Sequence, residues 1–330
     1  MNHRILDFSS APYRLHTRHR QLVIESSIQG TSSIVKKQTV PLEDIAVLLV
    51  AHKQVSFTQS VMELLAENGG ILVVCNSKSL PVGIYAPLVN HSLPCKKIKL
   101  QINAPEPVNK RAWQQIVKAK IQNQGLLLQK LHGKDFGLSA LSKIVKSGDP
   151  HNVEARAAKR YWQKLFRHPE DITDAGAGNE TPFHRKSDGD DFTNLCLNYG
   201  YGVLRAVIAR AVCATGFHPA IGIHHHNQYN GYCLADDLME PFRPVVDEVV
   251  HNFINNSSVC QENCLNELTP KVKREILEPL LGRFKVNGEL ETLFDASTQL
   301  AESLVNFFDK RCKKLRLPDS CEVYEEPKPF

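Results

Sequence analysis

The sequence predicts an α+β protein: an N-terminal β-rich, sandwich-like domain followed by a larger all-α C-terminal domain. Three observations predict it. The first hundred residues contain short runs rich in Val, Ile and Leu, broken by polar, Gly or Pro positions: RLHTRHRQLVIES, SIVKKQTVPL, DIAVLLVAH, GILVVCN and PVGIYAPL. Beyond residue 110 the apolar positions recur at helical spacing instead. Between the two lies QINAPEPVNK, residues 101–110, where two prolines two residues apart interrupt both strand and helix and assign a linker. The expected boundaries are 1–100 for the β-rich domain, 101–110 for the linker, 111–316 for the helical domain and 317–330 for a flexible tail.

Size and composition fit this division. A chain of 330 residues, 42% hydrophobic and 23% charged, has room for two domains and the balance of a globular protein. No apolar run approaches the roughly 20 residues of a membrane helix. The N-terminus MNHRILDFSSAPYRL lacks the apolar core of a secretion signal, so the expected location is the cytoplasm. Nine scattered cysteines, an odd number with several in apolar contexts, are expected to be reduced and mostly buried. Cys260 and Cys264 have no second pair to complete a zinc site.

Taken in order, SFTQSVMELLAENGG carries Val61, Leu64 and Leu65 at helical spacing and ends on Asn68-Gly69-Gly70, a helix stop. Residues 110–131 place Trp113, Ile116, Val117, Lys120, Ile121, Leu126, Leu127 and Leu128 on a long amphipathic helix. In residues 149–166, Asp149 is the expected N-cap and Pro150 the first helical residue. Val153, Ala157, Ala158, Tyr161, Trp162 and Leu165 form its buried stripe, with Glu154 beside it and Arg156, Lys159 and Arg160 following. Residues 168–191 read as a polar, Gly-rich loop. Asp191 caps a buried helix that closes at Gly216 and holds the polar Asn194, Asn198 and Tyr201, the tyrosine read as a core residue. Helices are expected at 245–256, 270–282 and 290–316, the last with a basic end, KRCKKLR.

The net charge of +5 is unevenly placed. Residues 96–168 hold 16 Lys and Arg against 4 acids, a local +12 that leaves −7 for the remainder. A basic middle on a mildly acidic frame fits a surface for a polyanion, and it equally fits solvated lysine-bearing helix faces.

The chemistry concentrates in Gly222–Asp247, GIHHHNQYNGYCLADDLMEPFRPVVD. Leu234, Leu238 and Phe242 mark a helix on which Asp237 and Glu240, at i and i+3, point to nearly the same side. A turn at Tyr229-Asn230-Gly231 could return the histidines to its start. At most two of His224, His225 and His226 share a face if extended. One imidazole and one or two carboxylates from here, joined by Glu154, make a donor set for a hard divalent ion with open positions, magnesium or manganese. Each residue has a plainer role: Asp236 and Asp237 as helix caps, Arg243 as the partner of a neighbouring acid, Glu154 as a first-turn glutamate favoured by the helix dipole.

Three motifs, NVEARAAKRYW, DDFTNLCLNYGYGVL and the Gly222–Asp247 stretch, resemble the CRISPR adaptation (spacer-acquisition) integrase and endonuclease family, closest to members from single-effector systems. The likeness covers nearly the whole chain. It implies Glu154, His225 and Glu240 as catalytic metal ligands, with Asp237 as a further acid and His225 chosen by aligning a Gly-x-x-His pattern on Gly222. It implies Mg2+ or Mn2+, and transesterification that joins the 3′-hydroxyls of short foreign DNA to repeat ends. Arg156, Lys159, Arg160 and Arg243 are the candidate DNA contacts. The implied partners are double-stranded DNA, a second copy of the chain bound through the β-rich domain, a small ferredoxin-like protein completing a heterohexamer, the RNA-guided effector and an accessory adaptation protein. The rival readings are a non-catalytic DNA-bridging protein and a zinc hydrolase built on the histidine cluster.

Overall fold

The structure is a computed structural model of the chain and describes residues 4–27, 34–76, 81–87, 94–167, 183–186, 189, 191–258, 267–286 and 288–319. Its N-terminal part contains two four-stranded sheets. The first has the order β1-β5-β7-β8, from β1 (Arg4–Phe8), β5 (Ile45–Val50), β7 (Ile71–Cys75) and β8 (Pro81–Tyr85). The first three run parallel and β8 antiparallel. The second has the order β4-β3-β2-β6, from β2 (Tyr13–Arg18), β3 (Gln21–Ser27), β4 (Ile34–Pro41) and β6 (Ser56–Phe57). One helix, α1 (Gln59–Glu67), follows β6.

β5 shows why the fold closes as it does. Its sequence IAVLLV has no polar alternation, and all six residues are buried. Such a run needs cover on both faces. Ile45, Leu48 and Val50 join Leu15, Leu22, Leu42, Val61 and Leu65 in a core within the N-terminal part. Ala46, Val47 and Leu49 belong to the large core of the helical part. Arg210 reinforces the junction by donating from Nε to the Gly69 carbonyl at 2.7 Å.

The helical part begins earlier than the sequence suggested. α2 (Pro94–Ile102) lies within the stretch expected to be β-rich, and α3 (Glu106–His132) starts inside the expected linker. Only residues 103–105 separate them. Pro105 and Pro107 act as helix starters here, since a proline in the first turn removes an N–H that has no partner anyway. Then follow α4 (Leu138–Ile144), α5 (Val153–Leu165), α6 (Phe192–Ala214), α7 (Cys233–Met239), α8 (Arg243–Asn256), α9 (Pro270–Leu280) and α10 (Leu293–Phe308). A single 3-10 turn, Glu240–Phe242, joins α7 to α8. α6 is the central buried helix: Gly200 allows α8 so close that a Cβ there would lie 2.5 Å from Val246.

Three further expectations change. α5 starts at Val153, because Asn152 and Asp149 both take left-handed backbone angles; Asp149 still serves the helix by accepting the Val153 and Glu154 amides, each at 2.9 Å. The expected helix 290–316 is a hairpin, β9 (Arg283–Val286) and β10 (Glu289–Thr292), followed by α10 alone. Thr292 caps α10 by accepting from the Asp295 amide, and Lys310 leaves the helix with φ of 59°. The basic segment after it is not helical but folds back, tied through Leu315 N to Gln115 and Arg316 N to Ser303. The start of the expected flexible tail is docked, with Pro318 bridging Val286 and the Asp319 amide donating to Lys285. The remainder of the tail, Cys260 and Cys264, and most of the 168–191 loop lie outside the described residues. Cys75, Cys95, Cys213, Cys233 and Cys312 are free thiols, and no helix among the described residues is long and apolar enough to cross a membrane.

Candidate active site

Glu154 and Glu240 come together. Glu154 is in the first turn of α5, and Glu240 opens the 3-10 turn after α7. A third residue stands between them. Lys120, on α3, places its ammonium 2.6 Å from Glu154 Oε1 and 2.6 Å from Glu240 Oε2. The first contact is a hydrogen bond; the second is an ion pair out of line for one. Lys120 belongs to the stripe that buries Trp113, Ile116 and Val117, and its side chain is 11% exposed. Sequence reasoning placed it on that stripe and gave it no role. A lysine among core positions was the available signal, because a buried ammonium needs paired acids.

Arg243 holds the other side of Glu240, donating from Nε to Oε1 at 2.8 Å. Its guanidinium also lies 4.6 Å from the centre of the Tyr201 ring. Arg243 is thus paired with its neighbouring acid. Burial alone would push the Glu240 carboxyl up; Arg243 and Lys120 outweigh it and hold it down at about 2. The same two acids raise Lys120 against the opposing effect of its burial. The break after Glu240 is pinned as well: buried Asn123 donates to the Pro241 carbonyl at 3.0 Å.

The histidine loop is organised by Asp237, which is fully buried. Its Oδ2 accepts the amides of Ile223 (2.5 Å) and His224 (3.0 Å), while Oδ1 accepts the amide of His225 (3.2 Å). Oδ1 also lies 2.6 Å from His225 Nδ1. With both oxygens engaged twice, Asp237 positions the loop. Its hydrogen bond raises the His225 pKa, with burial opposing. Asp236 is equally occupied, held by Arg205 at 2.6 and 2.5 Å and by Asn230 at 2.6 Å.

Two of the three histidines pack on one tryptophan, and the third does not join them. His224 stacks flat on the buried Trp113, with ring centres 4.2 Å apart and planes within 3°. His225 meets the same indole edge-on at 5.8 Å. His226 is exposed. The cluster does not converge on one point, so the zinc-hydrolase reading loses its geometry. Among the described residues no three His, Cys, Asp or Glu side chains are grouped closely enough to hold a metal ion as they stand. The parts present still fit a hard divalent cation. Two carboxylates from distant segments already share one positive charge, and a carboxylate on Nδ1 leaves the other nitrogen of His225 as the available donor.

Around the site, Arg156 and Lys159 are exposed on α5, while Arg160 is exposed but donates to the Phe136 carbonyl at 3.0 Å. Behind it, buried Asp247 accepts from Tyr161 at 2.8 Å and from Tyr201; burial pushes its carboxyl up to about 6. Arg185, at the end of the 168–191 stretch, donates to Asn194 (2.9 Å) and Asn198 (2.6 Å) and lies over the Tyr201 ring.

Two sheets feeding a helical part that brings Glu154 and Glu240 onto one lysine define a two-part α+β protein. The family model described as CRISPR associated protein Cas1 matches residues 8–277, and the chain belongs to that family. A curated relative from Neisseria meningitidis serogroup C (strain 8013), named CRISPR-associated endonuclease Cas1, is 34% identical over 316 residues, covering 94% of this chain and 95% of its own. Among solved structures, a casposase bound to integration product superposes with a TM-score of 0.75 at 19% identity, over 95% of this chain and 92% of the other. A chain of a Cas6-RT-Cas1–Cas2 complex gives a TM-score of 0.69 at 18% identity, over 99% of this chain and 36% of that longer one. The α+β architecture expected from the sequence is that of the family.

Proposed function

We propose that this protein is a DNA integrase and endonuclease of CRISPR adaptation, joining the 3′-hydroxyls of short duplex DNA to repeat ends by transesterification. The observation that carries the reading is the pair Glu154 and Glu240, brought from distant segments onto one shared cation. The Neisseria relative's name, an endonuclease, supports it, as does the neighbour seen with an integration product.

Glu154, Glu240 and His225 would hold Mg2+ or Mn2+, which neutralises phosphate oxygens and lowers the pKa of the attacking hydroxyl. The chain's own residues do the rest. Arg243 keeps Glu240 ionised and aimed. Asp237 and Trp113 fix the His225 ring. The attacking 3′-oxygen gains a bond to the phosphorus at the repeat end as the 3′-oxygen of the flanking strand leaves with a proton, so phosphodiester bonds are conserved and no nucleotide cofactor is needed. With water as the attacking group, the same site hydrolyses DNA. Arg156 and Lys159, both exposed, would meet the DNA backbone, whose recognition is electrostatic and weakly dependent on sequence. The partners of this reading are double-stranded DNA, a second copy of the chain and a small Cas2-type protein, the last named in the complex of a fold neighbour.

The test is strand transfer. Duplexes with free 3′-hydroxyls are mixed with a repeat-bearing plasmid, the small partner and Mn2+. Wild type joins the ends, whereas Glu154→Gln, His225→Ala and Glu240→Gln bind DNA and fail to join. Joining that survives Glu154→Gln would favour a DNA-bridging role instead.

A further inference from the structure

The site is electrically balanced. Glu154 and Glu240 bring two negative charges, and Lys120, in contact with both, and Arg243, in contact with Glu240, bring two positive ones. A neutral site offers a divalent cation little attraction, and the Lys120 ammonium sits on the oxygens such an ion needs. The two counter-charges differ in freedom. Arg243 is fixed by its Nε bond to Glu240 and its place over the Tyr201 ring. Lys120 is a point charge on a flexible four-carbon stem, with one aligned and one misaligned contact.

We propose that Lys120 couples metal loading to DNA binding: its ammonium holds Glu154 and Glu240 together until a DNA phosphate offers it another partner, which frees both carboxylates for the divalent ion. The inference rests on the reading given under Proposed function and adds a role for a residue outside the ligand set. A phosphate oxygen is a partner of the same kind as a carboxylate oxygen, so the ammonium keeps its pairing when it moves. With Lys120 turned away, Glu154, Glu240 and Arg243 leave a net −1 facing the ion. Linkage is reciprocal, so the ion tightens DNA binding by the factor by which DNA tightens the ion.

Mn2+ is titrated into the full chain, with and without a 3′-hydroxyl duplex, and free Mn2+ is read by electron paramagnetic resonance. Wild type should gain about tenfold in Mn2+ affinity when the duplex is present. Lys120→Met should bind Mn2+ about tenfold more tightly than wild type without DNA, and the duplex should then change its affinity less than about threefold. If this variant folds only with Mn2+, seen as a thermal transition that appears on adding the ion, the result has the same sign. Lys120→Arg, whose planar fork can engage both carboxylates, should bind Mn2+ more weakly than wild type, and it decides the matter if Lys120→Met does not fold at all. Equal or weaker Mn2+ binding by a folded Lys120→Met, tighter binding by Lys120→Arg, or no effect of DNA in wild type would overturn the proposal. The parent reading fails differently: Glu154→Gln and Glu240→Gln would then bind Mn2+ as wild type does.

Discussion

Asp237 Oδ1 lies 2.6 Å from His225 Nδ1, and the same carboxylate accepts three successive backbone amides, so one buried acid fixes both the imidazole and the loop that carries it. Asp237→Asn should lower Mn2+ affinity and joining by about 10- to 100-fold, the usual range for a lost partner of a metal-binding histidine. Asp237→Ala should also unfold at lower urea, since each buried N–H left unpaired costs about 1–3 kcal/mol. Stability and strand transfer measured on both variants separate the two effects.

Gly222 makes the same loop possible. A Cβ at this position would lie 2.2 Å from the His225 carbonyl and 2.9 Å from Asp237 Oδ2. Backbone cannot yield that much without moving His225. Gly222→Ala should therefore cost about 1–3 kcal/mol in chemical denaturation and lose joining activity, while Gly231→Ala, with open space around it, should keep both.

Two buried acids respond to pH in opposite directions. Glu240, held down at about 2, contributes stability that is complete above the ordinary Glu range and drains away as pH falls toward 2. Asp247, raised to about 6, keeps its proton in the folded state after the unfolded chain has lost it, so its contribution weakens as pH rises from about 4 to 6. Asp247→Asn removes that second effect. Relative to wild type, its unfolding free energy should rise by roughly 2–3 kcal/mol between about pH 4 and pH 8. A flat difference across that range would assign Asp247 an ordinary pKa.

Arg156 and Lys159 are the exposed cations on the helix that carries Glu154. If each neutralises a phosphate, Arg156→Ala and Lys159→Ala should each reduce the slope of log affinity against log salt by about 1, uniformly across DNA sequences. Arg243→Ala should leave that slope unchanged and instead weaken the site, because its charge is spent on Glu240.

Much of this was legible from spacing. The apolar runs of the first hundred residues became β2 to β5, β7 and β8, since hydrophobic runs bounded by turn residues have few other solutions. Asp191 caps its helix as read, accepting the Asn194 amide at 3.0 Å. The misses arose where local chemistry has two meanings. Pro105 and Pro107 punctuate a linker and a helix start equally well, and α2 was hidden in a region dominated by strand signals. The hairpin of β9 and β10 is too short to register against the strong helical stripe of α10.

The candidate site was only partly legible for a related reason. Glu154 and Glu240 could be paired by resemblance, but the lysine between them reads as one more amphipathic-helix cation until three dimensions show its partners. Asp237 and Glu240 share a helical spacing that suggests a shared task. The structure separates them, because the 3-10 turn re-aims Glu240 toward α3 while Asp237 turns back to the histidine loop. Spacing along a helix fixes direction only while the helix remains regular.

Lys120 and Glu154 are 34 residues apart in the chain, and Glu240 follows much later. The consequence concerns the chain's own synthesis. Ribosomes extend a protein at roughly 5–20 residues per second, so the first two residues are exposed for several seconds before the third is made. A nascent or truncated chain lacking the segment after α6 therefore has no Glu240 to meet Lys120, and the cluster forms only once that later segment is made.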